Sequence, residues 1–173
     1  MQFAKDSFFL ALQERLGALN PARTVSVNGI SVPAVLVLEN QLPSSAAPVE
    51  NTFYIEWGAV RVLDGSAGNE YLMAMDCDIS YSTWGNVASA VDRGRVSGQL
   101  DAELLAMCQP GNTEKRDYTQ APSVDMGTTV FWSHPVFETD AGMEYTVKAG
   151  KRKDGSVERR AKLTIYFFSE VTI

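Results

Sequence analysis

Two aspartates that lie two positions apart are the residues whose type and spacing first indicate a possible metal-binding or acid–base site. Asp76 and Asp78 lie in residues 71–83, where apolar and more polar side chains alternate over six steps. This period of two predicts a long strand with one buried face, and it places both carboxylates together on the other face. Such a pair suits a metal ion or acid–base work, but nothing nearby in the sequence completes a site. The favoured interpretation is two solvated carboxylates on an open sheet face.

The single histidine and the two cysteines offer no stronger site. His134 directly follows Ser133, and Asp140 lies six residues on, but adjacent strand residues point to opposite faces, which excludes a Ser–His–Asp triad on geometry. Cys77 falls on the buried face of the long strand, and Cys108 falls near the end of a predicted helix. The two lack the CxxC spacing of a zinc site. We expect two buried free thiols, with a disulfide between them as the alternative.

Composition and missing motifs narrow the class of protein. The chain has 173 residues, 45% hydrophobic content and a net charge of −6, which suits one domain over residues 1–173 and argues against free-standing nucleic-acid binding. It contains no apolar run of about 18 residues and no signal-peptide pattern, so we expect an intracellular protein without a membrane span. The glycine-rich, zinc and nucleophile motifs of common enzymes are missing as well. A binding or assembly protein without a cofactor is therefore favoured over an enzyme.

Hydrophobic periodicity and turn residues predict the elements that must hold these side chains. Helices are predicted over residues 4–19 and, in two pieces interrupted at Arg93-Gly94, over 87–91 and 94–107. Glu103 is expected to face solvent, and the predicted apolar stripes are Phe9, Leu12, Leu16 and Leu19 in the first helix and Val96, Leu100, Leu104 and Met107 in the second. Strands are predicted over residues 24–27, 30–32, 34–38, 52–63, 71–83, 128–138, 144–150 and 157–173, and long loops over 39–51 and 109–127. The strand over 52–63 is expected to carry a bulge at Gly58 and to form an antiparallel hairpin with the long strand through a turn over 64–69. We therefore expect an α+β fold: a mostly antiparallel twisted sheet, an N-terminal helix and a second helix packed on one face, and extended β-hairpins.

Charge is distributed unevenly along the chain. Seven of the fifteen Lys and Arg residues lie in residues 148–162, whereas residues 35–82 are strongly acidic. The basic segment is either a solvated turn, one side of a head-to-tail subunit contact, or, less favoured, a nucleic-acid contact. The subunit or partner interface that we predict comprises Lys151, Arg152, Lys153, Arg159, Arg160, Glu50, Glu56, Asp76 and Asp78.

In element order, the chain resembles the tail terminator, or tail completion, proteins of long-tailed bacteriophages and prophage-derived particles. An N-terminal helix leads to an apolar strand, PAVLVLE, and then to a hairpin that ends in the long strand MAMDCDISYST. The helix GRVSGQLDAELLAM and a last strand, AKLTIYFFSEV, follow. The long loops and the basic hairpin over residues 144–160 are longer than the minimal arrangement of elements in that family requires.

The resemblance implies a homo-oligomer, a hexameric ring that caps the tail tube, stops its polymerisation and offers a surface for joining the head. The implied partners are the tail tube protein and a head-completion protein, with DNA passing through without specific binding and no membrane contact. The implied location is the host cytoplasm during assembly and then the virion tail. Three alternatives stay open: another head–tail joining or minor tail protein, a hydrolase that uses Asp76 and Asp78, and a small-molecule-binding α+β domain. The cavity of that last alternative would be lined by Trp57, Met73, Met75 and Phe131.

Overall fold

The computed structural model describes residues 1–41, 49–67, 70–83, 90–138 and 157–170. The elements in chain order are α1 (Gln2–Leu19), β1 (Thr24–Val27), β2 (Ile30–Pro33), β3 (Val35–Val37), α2 (Leu38–Gln41), β4 (Phe53–Ala67), β5 (Glu70–Thr83), α3 (Ala90–Met107), β6 (Asn112–Asp117), β7 (Val124–Trp132), β8 (Val136–Phe137) and β9 (Val157–Phe168). The predicted α+β fold is confirmed, because in these described residues two long helices accompany a mostly antiparallel sheet of seven strands.

The long strand β5 lies near the middle of this central sheet. Along the sheet the order is β3-β4-β5-β9-β7-β6, and β8 pairs with β9. The predicted antiparallel hairpin of β4 and β5 is confirmed, and so is the central place of the last strand. A register shift after Trp57 confirms the predicted bulge at Gly58, whose backbone approaches Asp76 so closely that an added Cβ would lie 3.0 Å from the Asp76 Cβ.

Helix α1 contacts both outer strands of the central sheet. The Gln13 side chain donates a 2.9 Å hydrogen bond to the Val35 carbonyl on β3. On the other side, the Arg15 guanidinium donates a 2.9 Å hydrogen bond to the Asn112 carbonyl on β6. The sheet therefore curls around α1, whose polar side chains bond backbone groups at both edges of the sheet.

The core lies between the helices and one face of the sheet. Phe8 of α1 makes edge-to-face contacts with Trp132, at a ring-centroid distance of 5.1 Å, and with Trp57. The predicted α1 stripe is wrong at its two ends: Phe9 is only partly buried and Leu19 is 49% exposed. The fully buried positions follow a spacing of four instead: Ala4, Phe8, Leu12 and Leu16.

Helix α3 differs from its prediction in two ways. The structure shows one continuous helix through Gly94, where a break was expected. An exposed glycine inside a helix costs about 1 kcal/mol relative to alanine and does not by itself end the helix. The expected apolar stripe is confirmed, with Leu100, Leu104 and Met107 buried. Glu103, predicted to face solvent, is buried as well, because it forms an ion pair with Arg23.

Other expected loops and turns contain regular structure. The predicted loop over residues 109–127 holds the antiparallel pair β6–β7, and part of the predicted turn over 64–69 continues β4. The predicted loop over 39–51 begins inside the short helix α2. Strand β6 was not predicted because its buried side chains are the charged Lys115 and Asp117. Strand prediction relies on alternating hydrophobic residues, which this segment lacks.

Both cysteines are buried free thiols, as the favoured prediction had it. Burial raises the pKa of Cys108 to about 12 and raises that of Cys77 as well. The alternative prediction, a disulfide between the two, is wrong.

Candidate functional site

The predicted carboxylates lie on the face of the central sheet that points away from the core, which we call the open face. Strand register places Glu56, Asp78 and Lys162 side by side in one row across β4, β5 and β9. Asp76 lies in the adjacent row, opposite Thr164. The prediction that Asp76 and Asp78 share the more polar face is therefore confirmed by their position in the sheet.

Asp76 is held by an arginine of the neighbouring strand. The Arg61 guanidinium makes two hydrogen bonds to the Asp76 carboxylate, of 2.6 and 2.7 Å. Hydrogen bonding by Arg61 lowers the pKa of Asp76, and the same bonds raise the pKa of Arg61. In this state Asp76 is a charged, oriented partner of Arg61, a poor arrangement for a general base, which needs a proton affinity near neutral pH.

Lys162 and Glu138 form the second ion pair of the open face. The Lys162 Nζ lies 2.6 Å from a Glu138 carboxylate oxygen. The hydrogen bond raises the pKa of Lys162 and lowers that of Glu138. The charge of Asp78, which lies opposite Lys162, also helps to raise the pKa of Lys162. Strand register sets Asp78 directly opposite Glu56 as well. Like charges in that position repel.

The two arginines of the predicted interface lie on opposite faces of β9. Arg160 is exposed on the open face beside Ser80 and lies 3.6 Å from Glu158. Arg159 points to the helix-covered side, where it bonds the Ser97 hydroxyl and lies 3.6 Å from Asp101. The contact of Arg159 with α3 makes it a structural residue of the subunit.

Asp101 also accepts a hydrogen bond from the buried Tyr81 hydroxyl. Burial and this bond raise the pKa of Tyr81. Tyr81 therefore joins Arg159 in holding α3 against the sheet, which the sequence pattern did not reveal.

Of the remaining predicted interface residues, the structure describes Glu50, which lies off the open face. Glu50 is half-buried in the turn before β4, where its carbonyl accepts a bond from the Thr52 hydroxyl. Lys151, Arg152 and Lys153 lie outside the described residues.

Aromatic side chains occupy the end of the open face near the β4–β5 turn. Phe131 of β7 is 46% exposed and lies opposite Tyr166 of β9, which is half-buried. Exposed aromatic residues flanked by ion pairs are typical of protein–protein interfaces. The sequence pattern did not indicate that Phe131 and Tyr166 lie together, although Tyr166 falls on the outward side of the alternating strand β9.

The small-molecule cavity predicted as an alternative does not form from its four residues. Met75 is fully buried beneath the helices, and Trp57 and Met73 lie on that same side of the sheet. Phe131 lies on the open face, because it is aligned through Tyr166 with Ala74 rather than with Met73 or Met75. The sheet therefore separates the proposed lining residues.

The geometry of the described residues does not favour a metal site or a catalytic role for Ser133 and His134. Within the described residues, no three His, Cys, Asp or Glu side chains are grouped so that they would hold a metal ion. The Ser133 hydroxyl accepts a 2.9 Å hydrogen bond from the Thr164 backbone, and His134 is exposed. Ser133 therefore helps to join β9 to the chain that follows β7.

A scan against models of known protein families finds no match for this sequence, and a search of curated proteins finds none either. Among the described helices, none combines the length and the apolar character needed to cross a membrane.

Proposed function

We propose that the protein is a structural subunit resembling phage tail terminators, which assembles into a hexameric ring, caps a tail tube and presents a surface for joining the head. The observation that carries the proposal is the row of Glu56 and Asp78 on the open face. Both carboxylates stand in a sheet position where they repel each other, and a basic segment of a neighbouring subunit would relieve that repulsion.

The same chain carries such a basic segment in its sequence. Lys151, Arg152 and Lys153 follow one another. A contact between two different patches of one subunit is heterologous, and repetition of it closes a ring when the rotation permits. An acidic patch and a basic patch on one chain are therefore what a head-to-tail ring requires.

The ring can be tested by reversing the charge of either the acidic patch, Glu56 and Asp78, or the basic patch, residues 151–153. In the first variant, Glu56→Lys and Asp78→Lys make the acidic patch basic. In the second, Lys151→Glu, Arg152→Glu and Lys153→Glu make the basic patch acidic. Each variant alone should lose the hexamer, because its two patches now carry the same sign. An equimolar mixture should restore the hexamer, because six subunits can alternate around a ring.

Light scattering over a range of concentrations measures the mass, and negative-stain electron microscopy shows whether rings are present. Glu14→Lys, on the exposed side of α1, reverses one charge outside both patches and should leave the mass unaltered. A wild-type protein that is monomeric at every concentration and shows no rings would count against the proposal. So would a mixture that stays monomeric while the wild type forms hexamers.

A further inference from the structure

The turn of the β1–β2 hairpin consists of an asparagine followed by a glycine. Of the seven asparagines in the sequence, Asn28 is the one that precedes a glycine. Asparagine is a thermolabile residue, because the backbone nitrogen of the next residue can attack its side-chain amide. Gly29 has no Cβ to obstruct that attack. The sequence thus singles out Asn28 as the asparagine with the least hindered neighbour.

The structure leaves space around this turn. Asn28 and Gly29 are both exposed, and Ile30 beside them is 66% exposed. Among the described residues, a Cβ added to Gly29 would meet no atom within 4 Å. The backbone φ angles are 51° at Asn28 and 81° at Gly29, both positive, as in the type I′ turn that this dipeptide favours. Solvent water therefore reaches both residues.

The hairpin that contains the turn is small. In the described part of the chain, β1 and β2 form a two-stranded sheet of their own, with a ladder of four residue pairs. A two-stranded hairpin is only marginally stable by itself. Its base is anchored, because Val25 is buried and the Ala34 backbone donates a 3.0 Å hydrogen bond to the Arg23 carbonyl. The tip can therefore loosen while the base stays in place, and this loosening lets the Gly29 nitrogen approach the Asn28 Cγ.

We propose that Asn28 is a site of spontaneous modification, at which the side-chain amide is lost and an isoaspartate forms. In the first step the Gly29 backbone nitrogen attacks the Asn28 Cγ, and the new C–N bond closes a succinimide ring. The bond between Cγ and the side-chain nitrogen then breaks. That nitrogen leaves as ammonia, with the proton that the Gly29 amide has given up.

In the second step water opens the ring at one of its two carbonyls. Addition at Cγ restores the ordinary peptide bond and leaves an aspartate. Addition at the main-chain carbonyl of Asn28 keeps the link to Gly29 through Cγ, and the product is an isoaspartate. Both products carry a new carboxylate, and the isoaspartate also lengthens the main chain by one methylene group. Solvent water is the only co-reactant.

The isoaspartate should open the tip of the hairpin. A type I′ turn joins its strands through two residues with positive φ, and an added main-chain methylene does not fit that geometry. The pair next to the turn, Val27 and Ile30, should therefore separate first. The aspartate product should leave the hairpin closed, because Asp-Gly also favours a type I′ turn. The hairpin contains none of the residues of the proposed ring contact, so the two proposals stand or fall separately.

Ageing of the purified wild-type protein in mildly alkaline buffer, followed by peptide mapping with mass spectrometry, tests the proposal. We expect Asn28 to lose its amide about tenfold faster than any other asparagine, which corresponds to a barrier lower by about 1.4 kcal/mol. An isoaspartate-specific carboxyl methyltransferase should label the peptide that contains residue 28. Asn20 is an internal reference, because the nitrogen of Pro21 carries no proton and does not attack.

Asn28→Gly is the matched control. It removes the reactive amide and keeps the turn, because Gly-Gly also forms type I′ turns. Far-UV circular dichroism and melting establish that the variant folds. Ageing should accelerate hydrogen exchange over residues 24–33 in the wild type and leave it unchanged in Asn28→Gly.

Each outcome bears on the proposal. Faster loss at Asn28, with methyl label on its peptide in the wild type alone, would support it. An intact Asn28 after ageing, or equal loss at all seven asparagines, would overturn it. Label as strong in Asn28→Gly as in the wild type would also overturn it. Hydrogen exchange that ageing leaves unchanged in a modified wild type would overturn the opening of the hairpin.

Discussion

The two sides of the central sheet differ in how far their ion pairs are exposed to water. Among the elements that cover one face, the ion pair of Arg23 with Glu103 of α3 is almost fully buried, with side chains 11% and 8% exposed. On the open face, the ion pair of Arg61 and Asp76 leaves its side chains 50% and 42% exposed. The first pair has been removed from water, and the second remains largely hydrated.

This difference decides what each pair can do for the molecule. A buried charge must be satisfied completely, so Glu103 also accepts hydrogen bonds from Asn20, at 2.8 Å, and from Gln99, at 3.0 Å. The pair thereby ties the end of α1 to α3. An exposed pair gains little free energy from its geometry, and its charges stay available to a partner. The covered face thus holds its charges in a buried, fully bonded pair, whereas the charges of the open face stay hydrated and accessible.

The largest difference between the faces should come from truncating one aromatic residue on each. Phe167 is fully buried and Phe131 is 46% exposed. Phe167→Ala should lower the free energy of unfolding by about 3–5 kcal/mol, through lost burial and the cavity left behind. Phe131→Ala should cost far less, about 1 kcal/mol or below. Urea unfolding followed by fluorescence measures both, and equal losses would remove the distinction between the faces.

Alternation in the sequence was sufficient to predict much of this two-faced sheet. Residues 71–83 predicted both the long strand and the outward position of Asp76 and Asp78, because a period of two fixes which side chains share a face. The apolar stripe of α3 was predicted for the corresponding reason at a helical period. These signals arise from burial of apolar surface, which sequence reports directly.

What sequence could not predict is which polar side chains are buried and what they bind. Glu103 and Lys115 look like surface residues until Arg23 and the Phe168 carbonyl are brought to them by distant parts of the chain. The partner of Asp76 is likewise set by the register across a bulged hairpin. The open face was therefore predicted in outline, but its ion pairs depend on tertiary contacts that leave no local pattern.

The buried ion pair predicts a dependence of stability on acid. Burial alone raises the pKa of Glu103, but hydrogen bonds from Arg23, Asn20 and Gln99 outweigh it, and the net pKa lies below its ordinary value. A lowered folded-state pKa stabilises the protein above the unfolded-state pKa, about 4.3, and that stability is lost as pH falls through the folded-state pKa. Glu103→Gln should cost about 2 kcal/mol at neutral pH, where it leaves Arg23 without a charged partner.

The pH profile distinguishes this account from a loss of packing. The free energy lost in Glu103→Gln should shrink as the pH is lowered through the acid range, because protonation removes the same charge from the wild type. Glu14→Gln, at an exposed position of α1, provides the control. A loss that stays constant from neutral to acid pH would show that the charge of Glu103 contributes nothing.

The smallest expected effect is the coupling between Arg61 and Asp76. A double-mutant cycle with Arg61→Ala and Asp76→Ala should give a coupling free energy well below the loss at Glu103, since exposed pairs are screened by water and salt. Repeating the cycle in about 1 M salt should abolish most of the coupling, because the screening length then falls to about 3 Å. A coupling as large as the effect at Glu103, and insensitive to salt, would mean that the open face is held as rigidly as the covered one. In that case the charge on the open face would stabilise the fold of the subunit and would not be available to a partner.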